Sequence, residues 1–249
     1  MLTKSFTQQK HKHKTLGVIG GVGPETTAKL YKEIVKRFFE RTEGNYPSLC
    51  IDNLPINNEI EESFIKSIVT PAIREQMEGI LTECVKRLQN SGSNTIVLPC
   101  NTLHTVIEPI VKEHKVNLIH IVEETINEVL KRGFNRIGMI CSNSTRYLEV
   151  YEKYARQYNL ELIYPSIEEQ IEINNIITQI LNGQYEEETL VTILKKLEKK
   201  VDCIVLGCTD LWQIAAKEHI QVPIIDSLEC LIESCMSFYL HDEQEMVDS

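Results

Sequence analysis

Two apolar patterns alternate along this chain. Short runs of aliphatic and β-branched residues are separated by longer stretches in which apolar positions recur three or four residues apart. The first pattern fits a buried strand and the second an amphipathic helix. "TLGVIG" (15–20), "SLCIDNL" (48–54), "NTIVLP" (94–99) and "NLIHIV" (117–122) predict strands, with helices near 24–41, 70–90, 102–114 and 122–132. The series then restarts with "RIGMIC" (136–141), "LELIYP" (160–165), "DCIVLG" (202–207) and "VPIID" (222–226), with helices between and after them. The first and third runs are apolar and bounded by Gly or Pro, as strands covered on both faces are. Strand–helix alternation predicts an α/β fold with parallel sheets and right-handed crossovers.

The restart is an internal repeat. Leu16-Gly17-Val18-Ile19 is answered 121 residues later by Ile137-Gly138-Met139-Ile140. Ile96-Val97-Leu98-Pro99-Cys100 is answered 108 residues later by Ile204-Val205-Leu206-Gly207-Cys208, and "NLIH" is answered by "PIID". Two similar lobes follow, each a parallel sheet flanked by helices, related by a pseudo-two-fold axis with a cleft between them. Lobe 1 is expected over 15–133 and lobe 2 over 134–240, the helix near 226–240 packing back on lobe 1. No Pro/Gly/Ser-rich linker separates them, and the boundary falls near Lys131 to Asn135. Residues 1–14 read as a flexible polar lead-in and 241–249 as a polar tail.

Composition narrows the function classes. Of 249 residues 42% are hydrophobic, as in a soluble globular protein, and 36 acidic against 26 basic side chains give a net charge of −10. So acidic a surface repels phosphate backbones, which argues against a nucleic-acid partner. No apolar run is long enough to span a bilayer, and "MLTKSFTQQKHKHKT" has no hydrophobic signal core, so a cytoplasmic protein with no membrane partner is expected. Eight cysteines without any CxxC give no support for a metal site, and His11 and His13 read as an incidental HxH. Cys50, Cys84, Cys203, Cys230 and Cys235 fit small buried hydrophobes of a reducing compartment.

Cys100 and Cys208 need a different account. Each follows a strand at its carboxyl end, where open parallel sheets bind ligands, so the two thiols are expected to face one cleft from opposite lobes. Asn101-Thr102 and Thr209-Asp210 follow them as residues suited to helix starts, where free N–H groups lower a thiol pKa. Packing alone explains one such Cys; matched thiols at both privileged positions favour chemistry. Acid and base on opposite faces of one carbon are what stereochemical inversion requires. With each sulfur about 3–3.5 Å from the reacting centre, the sulfurs lie roughly 6–7 Å apart, so no disulfide joins them.

"GVIGGVGPETTAKLY", "IVLPCNTLH", "LIHIVEET" and "IVLGCTDL" together resemble the aspartate/glutamate racemase superfamily, from Thr15 to about Tyr239. The resemblance implies a two-lobed α/β enzyme that needs no cofactor and uses Cys100 and Cys208 as paired acid and base. It also implies a substrate site lined by Asn101, Thr102 and Thr209, with Gly21 in the first strand-end turn and Ser142 and Thr145 of "CSNST" in the matching turn of lobe 2. That first turn, Gly20 to Pro24, satisfies neither GxGxxG nor GxxxxGK[ST], so it is not read as a nucleotide cradle. His104 and His120 read as supporting residues rather than bases.

Two departures bear on the substrate. Aspartate racemases carry a "PDR" segment after the second strand, whose Arg grips a carboxylate; here "IDNLPINNEIEE" puts Glu59 at that position. A Lys late in a lobe-2 helix has no match in "IITQILNG", where Asn182 lies nearest. The expected function is therefore a cofactor-independent amino-acid racemase, a homodimer acting on a small amino acid or carboxylate, with aspartate disfavoured. The alternatives are an isomerase or decarboxylase of small dicarboxylic acids, and a non-catalytic ligand-binding relic of the fold.

Overall fold

The computed structural model describes residues 14–66, 68–184, 187–214 and 220–240. His11 and His13 of the HxH, the lead-in up to residue 13 and the tail from 241 lie outside the described residues. The first half runs β1 (Thr15–Gly20), α1 (Pro24–Arg41), β2 (Ser48–Asn53), α2 (Asn58–Lys66), α3 (Pro71–Asn90), β3 (Thr95–Val97), α4 (His104–His114), β4 (Asn117–Ile119) and α5 (Ile121–Lys131). The second runs β5 (Arg136–Ile140), α6 (Asn143–Tyr147), α7 (Glu152–Tyr158), β6 (Glu161–Ile163), α8 (Ile167–Leu181), α9 (Glu187–Leu197), β7 (Cys203–Leu206), β8 (Ile224–Asp226) and α10 (Ser227–Leu240), with a 3-10 turn over Thr209–Gln213.

Each half forms a four-stranded parallel sheet, in the orders β2-β1-β3-β4 and β6-β5-β7-β8. The two orders are the same, so the sequence repeat is also a repeat of topology. In both, the chain reverses its direction of travel between the inner pair, β1/β3 and β5/β7. Such a switch point opens a crevice beyond the strand ends. Cys100 follows β3 and Cys208 follows β7. Gly17 and Gly138, matched in the repeat, sit where a β-carbon would press into the neighbouring Ile96 and Leu197 side chains. Both sheets thus need a bare backbone at the same point to admit tight packing.

Several strands are shorter than the apolar runs predict, and proline explains three of them. Pro99, Pro165 and Pro223 have no N–H for a ladder, so β3, β6 and β8 stop or start beside them. Downstream of Pro99 the chain turns at once, with the Cys100 N–H bonded to the Leu98 carbonyl at 2.8 Å. β4 ends where His120 leaves the sheet and caps α5, its Nδ1 accepting from the Glu123 N–H. The helix α2 is absent from the apolar pattern's prediction. Asn57 starts it, its Oδ1 accepting from the Ile60 N–H at 3.0 Å.

The described interior holds three apolar clusters, one of which spans both halves. One apolar cluster takes Leu16, Val18, Leu30 and Val97 from the first half, Ile137, Met139 and Val205 from the second, and Leu228, Leu231 and Ile232 from α10. α10 leaves the second sheet and packs against α1 and α5. Two further clusters lie under α3 and α4 and under α8 and α9. α2 joins these two, because Ile60 and Phe64 belong to the former and Ile65 to the latter.

Candidate active site

The carboxyl ends of the four inner strands meet around one cavity, whose empty space is about 550 Å³ including its mouth. Cys100 and Leu103 line it from the first half and Gly207 and Cys208 from the second. Both thiols are free and half-buried, their remaining surface facing the cavity. The expected approach of the two cysteines from opposite sheets is what this arrangement displays.

The expected lowering of their pKa is not. Burial pushes the Cys100 thiol up to about 12, against the opposing pull of the Leu103 and Thr102 N–H groups and helped by the negative charges of Asp210 and Glu61. Burial raises Cys208 further still, and adjacent Asp210 adds to it. Desolvation outweighs the amides because the helix contribution is small: α4 starts four residues beyond Cys100, and only a short 3-10 turn follows Cys208. Both groups are thiols at neutral pH.

Around the sulfurs the polar groups are buried and mutually bonded. The Thr102 Oγ1 lies 2.7 Å from Thr145 Oγ1 and 3.2 Å from Ser142 Oγ, and those two are 3.0 Å apart. This triangle of three hydroxyls is built from both halves and faces the cavity. Ser142 also caps α6 by accepting from the Thr145 N–H. Thr209 Oγ1 donates to the Pro99 carbonyl at 2.9 Å, tying one thiol loop to the other. Asn101 accepts from the Tyr151 hydroxyl at 2.6 Å and donates to Ser227 Oγ at 2.9 Å. Its amide is thereby fixed by lobe 2 and α10.

His104 stands behind Cys100. Its Nε2 accepts from the Ile121 N–H, so Nδ1 carries the proton and donates to the Cys100 carbonyl at 2.8 Å. Burial, with neighbouring His120, lowers its pKa to about 3 and keeps the ring neutral. His120 in turn bonds Glu108 at 2.9 Å. Neither imidazole lines the cavity. They fix the backbone that carries the thiol.

Two sequence-derived site residues fall elsewhere. Gly21 has φ +88 and donates its N–H to Thr27 Oγ1, which shapes the turn without lining the cavity. Glu59 is exposed in the first turn of α2 and is not a lining residue. The reason is helical: two residues on, Glu61 points about 200° away and into the cavity, on the face it shares with Phe64 and Ile65. The apolar pattern predicts no helix over this segment, and that hid the face.

Three functional groups escape the sequence reading. Asp210 is buried, accepts from the Thr26 hydroxyl at 2.6 Å and lies 3.9 Å from the Cys208 sulfur. Burial raises its carboxyl to about 6; the Thr26 bond works against that and Glu61 adds to it. Glu61 is raised by desolvation, partly offset by the Gly23 N–H at 3.4 Å. Gly23 admits Asp210, since a β-carbon there would collide with that carboxylate. A carboxylate two residues after a strand-end Cys was the signal for Asp210. For Thr26 and Glu61 no local signal exists.

Among the described residues no group of three or more His, Cys, Asp or Glu could hold a metal ion, and no helix is long and apolar enough to cross a membrane. The model of the Asp/Glu/hydantoin racemase family matches residues 19–235. The chain belongs to that family. It is 27% identical over 234 residues to the broad-specificity amino-acid racemase RacX of Bacillus subtilis, covering 90% of this chain and 98% of that one. An aspartate racemase homologue from Pyrococcus horikoshii superposes with a TM-score of 0.75 at 26% identity, covering 92% of this chain and all of the other. The Picrophilus torridus aspartate racemase shares the fold, with a TM-score of 0.73 at 22% identity over 95% of this chain and all of its own.

Proposed function

We propose that the protein is an amino-acid racemase that inverts Cα with Cys100 and Cys208 as its paired acid and base and needs no cofactor. One observation carries this reading: two free thiols at matching strand ends of two repeated sheets line the same cavity. Family membership and the full-length likeness to a racemase support it.

The chemistry follows from the groups around the thiols. The α-ammonium of a substrate pairs with the Asp210 carboxylate. The hydroxyls of Thr102, Ser142 and Thr145 turn to donate to the α-carboxylate, which takes up the charge released at Cα. Neutralising Asp210 removes one of the causes that raise both thiols, so bound substrate favours loss of one thiol proton to solvent, leaving a thiolate. That thiolate removes the Cα proton, and the C–H electron pair delocalises into the carboxylate. The opposite thiol delivers its proton to the other face and becomes the thiolate. Protons balance over the turnover, and the sulfurs exchange roles.

The test is Cα–deuterium exchange and inversion in deuterated water across both enantiomers of the proteinogenic amino acids. Cys100→Ser and Cys208→Ser should each lower inversion by about 10²–10⁴-fold. Each can retain exchange of one enantiomer, because one face keeps its base. Inversion at the wild-type rate in either variant refutes the paired-thiol mechanism.

A further inference from the structure

Among the described residues, the cavity's charge is unbalanced. Among its described lining residues there are two carboxylates, Glu61 and Asp210, and no Lys, Arg or His. They flank Gly23 from two sides, Glu61 accepting its N–H and Asp210 lying against its α-carbon. An amino acid brings one ammonium and one carboxylate. The carboxylate finds the hydroxyl triangle and the ammonium finds one acid. The second acid is then left without a partner in a low-dielectric cleft, which is costly.

Glu61 and Asp210 arrive on different elements with different supports. Asp210 is held by Thr26 and sits beside the Cys208 sulfur, close to the reacting carbon. Glu61 comes from α2, and among the described residues its carboxylate has only the long Gly23 hydrogen bond. Phe64, Ile65 and Met77 from the first half and Ile177 and Leu181 of α8 line the same cavity. An apolar lining that also carries a carboxylate matches a side chain with a methylene stem and a cationic head.

We infer that Glu61 is a specificity residue of this site and that the preferred substrates are amino acids with a cationic side chain. The inference rests on the racemase reading for the orientation of the substrate, though not for its charge. An acidic side chain would bring a third anion into the cavity, and a neutral aliphatic one would leave Glu61 unpaired. The Glu59 expectation thus keeps its sign and changes its residue.

Lysine and norleucine have the same carbon stem and differ by the ε-ammonium alone, so they isolate the contact. Racemic samples of each, titrated calorimetrically into the full chain, keep turnover from changing the ligand. Lysine should bind at least about tenfold tighter than norleucine, with glutamate weakest. In Glu61→Gln the lysine-to-norleucine ratio should fall toward one, and in Glu61→Lys glutamate should overtake lysine. A wild-type ratio at or below one overturns the inference, as does a ratio that Glu61→Gln leaves unchanged. Cα–deuterium exchange run in parallel separates the two readings. Selective lysine binding without exchange refutes the racemase and leaves the specificity intact; exchange of norleucine without lysine selectivity does the reverse.

Discussion

Holding Asp210 away from water raises its carboxyl from 3.8 to about 6, and that shift is a cost to the fold. Between those values the native state binds the proton more tightly than the unfolded chain. Stability from this group is therefore complete below 3.8 and is lost as pH climbs through about 6. Two pK units correspond to about 3 kcal/mol as an upper figure. Asp210→Asn keeps an acceptor for Thr26 and removes the charge, so it should gain about 1–3 kcal/mol in urea unfolding at pH 7.5. The gain should vanish near pH 4 while racemisation is lost. The thiols make a second prediction. With Cys100 at about 12, iodoacetamide labelling of the empty protein should rise about tenfold per pH unit well past pH 9. A plateau near 8.5 would contradict the buried-thiol account. Substrate should still protect Cys100 and Cys208 from the reagent. The thiol pair was legible because both halves of the chain repeat it. Its protonation was not, since burial is set by side chains that distant elements such as α2, α3 and α8 bring to the cavity.

At the scale of elements, the strands and most helices follow from periodicity because each buries a face against a sheet. α2 does not. It is nine residues long, carries three acids among three core positions, and interrupts a polar stretch. Only tertiary contact makes it a helix: Ile60 and Phe64 root it in one apolar cluster and Ile65 in another. The same double rooting hides Glu61 from a reading that has no helix to place it on. Ile65→Ala should cost about 2 kcal/mol in urea unfolding, the lower end for such a truncation at a partly open rim. It should also raise KM for the preferred amino acid more than it lowers kcat, because the change loosens the wall that carries Glu61. Equal effects on both halves of that ratio would place α2 outside substrate binding.

For the whole molecule, the repeat predicts two similar lobes, and the matching strand orders bear that out. The merging of their interiors was not legible, because the repeat describes each half and not the surface between them. One apolar cluster takes residues from both sheets and from α10, so heat or urea should give a single transition by fluorescence and circular dichroism. Chains cut near 131–135 should not fold as separate halves. α10 has one more consequence. Arg37 pairs with Glu229 and Glu233, Tyr239 donates to the Ser48 carbonyl at 2.7 Å, and Lys14 reaches the Phe238 carbonyl at 3.1 Å. The path from Lys14 to Leu240 thus comes back to where it started, and in topological terms it is almost a ring. A ring has no required opening point. Removing residues 1–13 and 241–249, joining Leu240 to Lys14 with a short linker and reopening the chain at the exposed Gly183 turn should yield a circular permutant with the same cavity and the same lysine preference.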